Sequence, residues 1–217
     1  MNLLFVHGMG ATPFDCLPTA WRLKKHGYRT ATFSYFASCQ SLASIRQRLA
    51  RRLAVMASEG EYALIGHSLG GVLLRDVLCS LPADVRQPRH LFLVGSPMTA
   101  TQTNRDLSRF KLYQLLFGEC GQLVASNEQM QAVGVPALPI TCVAGTKGNA
   151  SRFNGQANDG IVLESELCPG RFADVAHIEA SHPLLPAHRQ LSQLIHQRLG
   201  DSSAKPCQGR DMNAPAI

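Results

Sequence analysis

The chain has 217 residues, of which 45% are hydrophobic and 17% charged, and these proportions exclude a disordered or fibrous protein. At this length we expect one domain that buries a sizeable core. The formal net charge is +6 at pH 7, but the basic residues are not interleaved with aromatic ones and form no recognisable nucleic-acid-binding module, so nucleic acid is not an expected partner.

The compartment is predicted from the cysteines and the apolar runs. Seven cysteines are scattered without C-x-x-C pairing, which argues against a zinc site or a disulfide framework and indicates a reducing compartment. No stretch approaches the roughly 18–20 apolar residues that a membrane span needs, and the first apolar run is too short for a signal peptide. We therefore expect a cytoplasmic protein without metal or cofactor, whose positive charge would allow transient contact with an anionic membrane surface.

Short apolar runs and longer amphipathic runs alternate along the chain. The short runs predict six strands, at residues 3–6, 29–35, 62–65, 90–94, 140–144 and 172–178. The longer runs predict helices, at residues 14–26, 41–58, 69–81 and 183–199. This alternation is typical of an α/β fold with a mostly parallel, doubly wound sheet and helices on both faces.

Two stretches interrupt the alternation. Residues 98–134 are too many for a simple crossover, and they contain an N-cap signature at residues 103–106 followed by apolar residues at helical spacing. We expect either a lid-like insertion with its own helix or a helix that packs on the core. Residues 201–217 are polar and contain proline and glycine, so we expect a disordered tail after a single domain of residues 1–200.

Residues 66–71, GHSLGG, contain the spacing G-x-S-x-G between a predicted strand and a predicted helix. In this context the spacing indicates a nucleophile elbow, a tight turn that holds the hydroxyl of Ser68 above the sheet. Glycines two residues before and after the serine are needed because a side chain there would collide with the neighbouring strand or helix. Leu69 begins the helix, so its backbone N–H is free to meet a developing oxyanion.

Two glycine-rich stretches do not predict nucleotide binding. Residues 8–10, GMG, are followed by Pro13 where a dinucleotide fingerprint needs glycine or alanine, and no acidic residue stands about 20 positions later. Residues 66–71 lack the lysine of a phosphate-binding loop.

Eight histidines are candidates for the base that would activate Ser68. His182 follows the last predicted strand and precedes the last helix, at the carboxyl edge where open α/β sheets keep their sites. His177 lies within the predicted strand and is the main alternative. His67, beside the serine, is expected to pack or to form a local hydrogen bond.

Asp159 is the candidate for the acid that would orient the base. It lies in a polar Asn-Asp-Gly loop after the fifth predicted strand, a tripeptide that is also an ordinary turn signal. Glu164, Glu166 and Asp174 are the alternatives.

Five motifs together resemble the α/β-hydrolase superfamily, and within it the small bacterial lipase/esterase group. They stand in the family's chain order at residues 6–10 (VHGMG), 66–71 (GHSLGG), 95–97 (GSP), 158–162 (NDGIV) and 181–185 (SHPLL). The resemblance implies a minimal α/β-hydrolase fold of about six strands with a short helical lid. It implies Ser68 as nucleophile, Asp159 as acid and His182 as base. It also implies an oxyanion hole made by the backbone N–H groups of Met9 and Leu69.

The chemistry of these residues predicts a serine hydrolase that cleaves carboxylic esters through an acyl-enzyme. A small-molecule ester with a hydrophobic acyl group is the expected substrate, because apolar residues dominate the helix of the insertion. Met98 departs from the family pattern, since many lipases have a histidine there. A thioesterase or an acyltransferase would use the same residues, and a non-catalytic binding scaffold is the remaining alternative.

Overall fold

The structure, a computed structural model, describes residues 1–167 and 174–200. Within these residues six strands form one sheet, and every neighbouring pair is parallel. The strands are β1 (Asn2–Val6), β2 (Arg29–Phe33), β3 (Tyr62–His67), β4 (Leu91–Val94), β5 (Ile140–Gly145) and β6 (Val175–Ile178). The predicted α/β sheet is confirmed. The first two residues of the sixth predicted strand, 172 and 173, and the predicted tail, 201–217, lie outside the described residues.

The strand order β2-β1-β3-β4-β5-β6 reverses direction between β1 and β3. In an open α/β sheet such a reversal leaves a crevice at the carboxyl ends of the two strands, where ligands bind. The register places Val6, the last residue of β1, beside Gly66 of β3. The turns that follow these two strands therefore open at the same point on the sheet edge.

Helices cover both faces of the sheet. In the described residues they are α1 (Leu17–Lys25), α2 (Leu42–Glu59), α3 (Leu69–Ser80), α4 (Gln102–Leu107), α5 (Lys111–Ala125), α6 (Asn127–Ala132), α7 (Glu164–Leu167) and α8 (Arg189–Gly200). Leu3 and Phe5 of β1 share a core with α1 and α8, while Leu4 and Val6 share one with α2 and α3. Strands buried on both faces explain the continuous apolar runs. None of these helices is both long and apolar enough to cross a membrane.

The insertion between β4 and β5 holds three helices where the sequence predicted one, namely α4, α5 and α6. The N-cap is Thr101 rather than a residue of 103–106, and its Oγ1 accepts a hydrogen bond from the backbone N–H of Asn104 at 3.2 Å. Helix α5 changes direction at Gly118, whose backbone angles are φ 46° and ψ −138°.

The predicted last helix, 183–199, is divided in two. A 3₁₀ segment covers His182–Ala187 and α8 begins at Arg189. Pro183 and Pro186 cause the division, because proline has no N–H to donate to a helical hydrogen bond.

Candidate active site

Ser68 lies in a tight turn between β3 and α3. Its backbone angles are φ 52° and ψ −124°, and a positive φ costs a residue other than glycine about 1–3 kcal/mol of strain. A Cβ at Gly66 would collide with the backbone of Gly71. A Cβ at Gly70 would collide with the carbonyl oxygen of Val6 at the end of β1. The turn has the geometry of a nucleophile elbow, and only glycines fit around it.

Asp159 and His182 form a buried pair at the carboxyl edge of the sheet. Asp159 Oδ2 and His182 Nδ1 are 2.6 Å apart, and the two residues are 2% and 5% exposed. The other carboxylate oxygen accepts hydrogen bonds from the backbone N–H groups of Ile161 (3.0 Å) and Val162 (2.8 Å). With Nδ1 donating to the carboxylate, Nε2 of the neutral ring is the proton acceptor that a general base needs.

Gly95, in the turn after β4, packs directly against this pair. Its φ is 53°, and a Cβ there would lie 3.1 Å from both Asp159 Oδ2 and His182 Nδ1. The motif at residues 95–97 therefore contributes to the candidate site by leaving room for Asp159 and His182.

A cavity of about 280 Å³ joins Ser68 and His182. Its remaining wall includes Met9 from the turn after β1 and residues of α4 and α5, among them Leu107 and Phe117. No hydrogen bond joins Ser68 Oγ to His182 in the part of the chain that the structure describes. Catalytic hydrogen bonds are often long without substrate and shorten when it binds.

The two expected oxyanion donors lie on either side of the crevice. Leu69 is the first residue of α3, so its N–H has no helical acceptor one turn earlier. Met9 lies in the turn after β1, and its backbone N–H has no acceptor among the described residues. Both residues stand at the point where the strand order reverses.

The sequence matches no family model, and no curated protein is similar to it. Its fold, however, matches solved structures over almost the whole chain. Methylketone synthase I of tomato, complexed with 2-tridecanone, is 11% identical with a TM-score of 0.65, over 92% of this chain and 97% of the synthase. A Xanthomonas campestris pv. campestris protein of the alpha/beta hydrolase superfamily is 15% identical with a TM-score of 0.59, over 90% of this chain and 98% of its own.

A third similar structure is the RedJ thioesterase of the prodiginine pathway in Streptomyces coelicolor. It is 16% identical with a TM-score of 0.59, over 91% of this chain and 88% of the thioesterase. The chain has the α/β-hydrolase fold. Similarity at these identities shows the fold alone.

Within this α/β-hydrolase fold, the alternative base and one alternative acid lie apart from Ser68. His177 is half-exposed, and its Nε2 pairs with Glu164 Oε1 at 2.8 Å. The two residues contact each other on the surface, and neither lines the cavity that joins Ser68 and His182.

The other two alternative acids have structural partners. Glu166 is buried, which raises its pKa, and it accepts hydrogen bonds from the backbone N–H groups of Gln102 (2.6 Å) and Leu163 (3.0 Å). It thereby ties the start of α4 to the loop that carries the acid. Asp174 lies at the opposite edge of the sheet and pairs with Arg198 at 2.8 Å.

His67 has a closer relation to the site than the sequence indicated. Its Nε2 donates a hydrogen bond to the backbone carbonyl of His182 at 3.1 Å, and the two ring centroids are 4.7 Å apart. Burial and the neighbouring imidazole lower the pKa of His67 well below its usual value, so the ring is neutral. The expected local hydrogen bond is in fact a contact with a residue 115 positions away.

Sequence reasoning also missed polar residues of the cavity wall. Asn104 and Tyr113 line the cavity and form a hydrogen bond of 2.9 Å with each other. This hydrogen bond joins α4 to α5, so no pattern within a single helix predicts it. Across residues 1–167 and 174–200, no group of three or more histidine, cysteine or acidic residues could hold a metal ion.

Proposed function

We propose that the chain is a serine hydrolase of carboxylic esters that works through an acyl-enzyme. The observation that carries the proposal is the buried Asp159–His182 pair, which shares a cavity with Ser68 at the elbow. A serine hydroxyl is a weak nucleophile until a base removes its proton, and a third group must hold that base in the right tautomer.

In the proposed acylation step, Ser68 Oγ attacks the carbonyl carbon of the ester while His182 Nε2 takes the hydroxyl proton. The negative charge that develops on the carbonyl oxygen is stabilised by the N–H groups of Met9 and Leu69. The bond to the alcohol oxygen then breaks, and the imidazolium returns its proton to the leaving alcohol. Asp159 stabilises the imidazolium throughout.

In the proposed deacylation step, water takes the place of the alcohol. His182 removes a proton from the water, which attacks the acyl carbon, and the tetrahedral intermediate uses the same two N–H groups. Its collapse breaks the bond to Ser68 Oγ and returns the proton to it. The products are a carboxylic acid and the free enzyme.

The proposed acyl group is hydrophobic and of modest size. A cavity of about 280 Å³ lies just below the range of about 300–1,000 Å³ that is usual for small-molecule sites. Its apolar wall is made by Met9, Leu107, Phe117 and Ile161. Because two of these residues belong to residues 98–134, we propose that this insertion covers the site as a lid within one domain of residues 1–200.

The test is hydrolysis of p-nitrophenyl esters of increasing acyl length by wild type and Ser68→Ala. We expect wild-type activity that falls beyond a certain chain length, and a loss of about 10⁶-fold in kcat for the variant. Ser80→Ala, at the other end of α3, is the matched control and should retain full activity.

A fluorophosphonate probe provides an independent readout. It should label the wild type and Ser80→Ala, and it should fail to label Ser68→Ala. Hydrolysis of acyl thioesters but not of oxygen esters would identify a thioesterase, since a thiolate can leave where the alcohol leaves. A folded wild type that neither reacts with the probe nor cleaves either class would overturn the catalytic proposal.

A further inference from the structure

Most exposed large apolar side chains lie around the opening of the catalytic cavity. Within the described residues eleven such side chains are 40–74% exposed. Eight of them lie in the first turn of α1, in the loops after β1, β2 and β6, or in the insertion from α4 to α5. The other three are Trp21, Val55 and Val135. Single exposed apolar residues are ordinary, whereas a cluster of them marks an interaction site.

Six of these side chains, here called the apolar rim, are 49–74% exposed, and they are Phe14, Phe36, Phe110, Leu115, Leu116 and Leu184. Phe36 and Leu116 line a groove of about 250 Å³ that shares Phe117 with the catalytic cavity. Phe14 and Leu184 are the sequence neighbours of two residues in the cavity wall, Asp15 and Pro183. Four residues of the rim therefore lie beside the cavity wall or the adjoining groove, and the other two, Phe110 and Leu115, belong to the insertion that contributes Leu107 and Phe117 to that wall.

Positive charge accompanies the rim. From α4 to the first half of α5, residues 102–117 contain three basic residues, Arg105, Arg109 and Lys111, and one acidic residue, Asp106. All four are exposed. No ion pair involves the three basic side chains in the described part of the chain.

We propose that the apolar rim docks on the surface of an anionic phospholipid bilayer, with the opening of the cavity facing the lipid. Apolar side chains would enter the boundary between headgroups and acyl chains, while Arg105, Arg109 and Lys111 contact the phosphates. A substrate with a hydrophobic acyl group would then reach Ser68 from the bilayer without crossing water.

The form of the rim favours a lipid surface over a protein partner. Its six side chains come from four separate segments of the chain, and a protein partner would have to match the shape of all four at once. A bilayer is fluid and accepts protruding side chains without shape complementarity. In residues 102–117 three charges are positive and one is negative, a balance that suits an anionic headgroup layer.

The test is flotation of the full chain with vesicles of phosphatidylglycerol and phosphatidylcholine at low salt. Wild type should float with these vesicles. The double variant Phe110→Ser/Leu115→Ser should bind at least about tenfold more weakly, because two apolar side chains no longer leave water. Neither residue lines the cavity, so hydrolysis of a water-soluble ester should be unchanged. The matched control is Val55→Ser/Val135→Ser, which removes two exposed apolar side chains elsewhere and should float like the wild type.

The charge is tested separately with Arg109→Gln/Lys111→Gln. This variant should bind anionic vesicles about tenfold more weakly, and wild type should bind pure phosphatidylcholine vesicles less well than anionic ones. Equal binding in either comparison would overturn the anionic part of the proposal.

Three outcomes would overturn the docking proposal itself. They are a wild type that stays with no vesicle, equal loss of binding in the control, and a wild-type dimer in solution that Phe110→Ser/Leu115→Ser dissociates. The last would show that the rim meets a second copy of the chain. Ser68→Ala should float like the wild type. Vesicle binding and ester hydrolysis are therefore measured independently, and either proposal can fail without the other.

Discussion

At each edge of the sheet a histidine is linked to an aspartate, directly at the carboxyl edge and through a hydroxyl at the amino edge. At the amino edge, His90 Nε2 lies 2.7 Å from Thr141 Oγ1, and the threonine hydroxyl donates to Asp174 Oδ2 at 2.5 Å. Arg198 then donates two hydrogen bonds of 2.8 Å to the same carboxylate.

The surroundings of the two carboxylates differ, and the difference supports a catalytic role for only one of them. Hydrogen bonds from Arg198 lower the pKa of Asp174, so its charge is already neutralised by a cation. Asp159 is held by two backbone N–H groups and by the imidazole, and its charge remains available to an imidazolium. A histidine and an aspartate in contact do not by themselves indicate catalysis. Asp174 already has Arg198 as a cationic partner, whereas no cation pairs with Asp159 in the described residues.

The largest expected effect is on kcat, and it distinguishes Asp159 from Asp174. Asp159→Asn should lower kcat about 10⁴-fold, because an amide favours the wrong tautomer of His182. Asp174→Asn should leave kcat unchanged and lower the melting temperature, since it weakens a pair with Arg198. Both variants are measured with a p-nitrophenyl ester and by thermal unfolding. Comparable losses of kcat in the two variants would show that the edges are not distinct.

A second, smaller effect concerns the turn after β4. Gly95→Ala places a methyl group against the Asp159–His182 pair and should lower kcat/KM about 10²-fold by displacing it. Gly27→Ala is the matched control, because Gly27 also has a positive φ (83°) but no atom lies within 4 Å of its added Cβ. Both variants lose stability through backbone strain, and only the first should lose activity. Equal activity in the two would contradict this role for Gly95.

The smallest expected effect is on stability and concerns the amino edge alone. Burial lowers the pKa of His90 from 6.5 to about 4. Below pH 6.5 the unfolded chain therefore binds a proton that the folded chain does not. The contribution of the neutral His90 ring to the free energy of unfolding is fully present above pH 6.5. It is lost as the pH falls towards 4, by up to about tenfold in the folding equilibrium constant for each pH unit.

This dependence is measured by urea unfolding at several pH values between 7 and 4.5. His90→Gln cannot be protonated and should show a shallower slope than the wild type. If the free energy of unfolding depends on pH equally in His90→Gln and in the wild type, the buried ring does not titrate as stated.

The sequence was sufficient for the parts of the molecule that short patterns specify. Apolar runs located the strands, and Ser68 was recognisable because glycines around it fit a turn between a strand and a helix. His182 was predicted because it follows the last strand at the carboxyl edge. Asp159 was predicted because it lies in a polar turn after the fifth strand, at the position that the family resemblance indicates. The structure brings these two residues together with Ser68, while their catalytic roles remain predictions.

The parts that could not be predicted depend on contacts between distant residues. No pattern near Asp174 in the sequence predicts its pairing with Arg198, which lies 24 positions away in another element. The hydrogen bond from His67 to the carbonyl of His182 is equally non-local. Helix α4 was placed too late because Thr101 competes with residues 103–106 as a cap, and the choice depends on how the insertion packs.

The change of direction at Gly118 divides α5 into two halves that differ in how deeply their side chains are buried. Residues after the bend include Cys120, Leu123 and Val124, which are at most 2% exposed, whereas Leu115 and Leu116 before it are 74% and 49% exposed. Local unfolding costs least where few apolar contacts are lost. We therefore expect the half that carries the rim to unfold locally at a lower free energy than the other half, with Tyr113 (6% exposed) as the buried contact that it must lose. The wall of the cavity that includes Phe117 would then rearrange before the hydrophobic core.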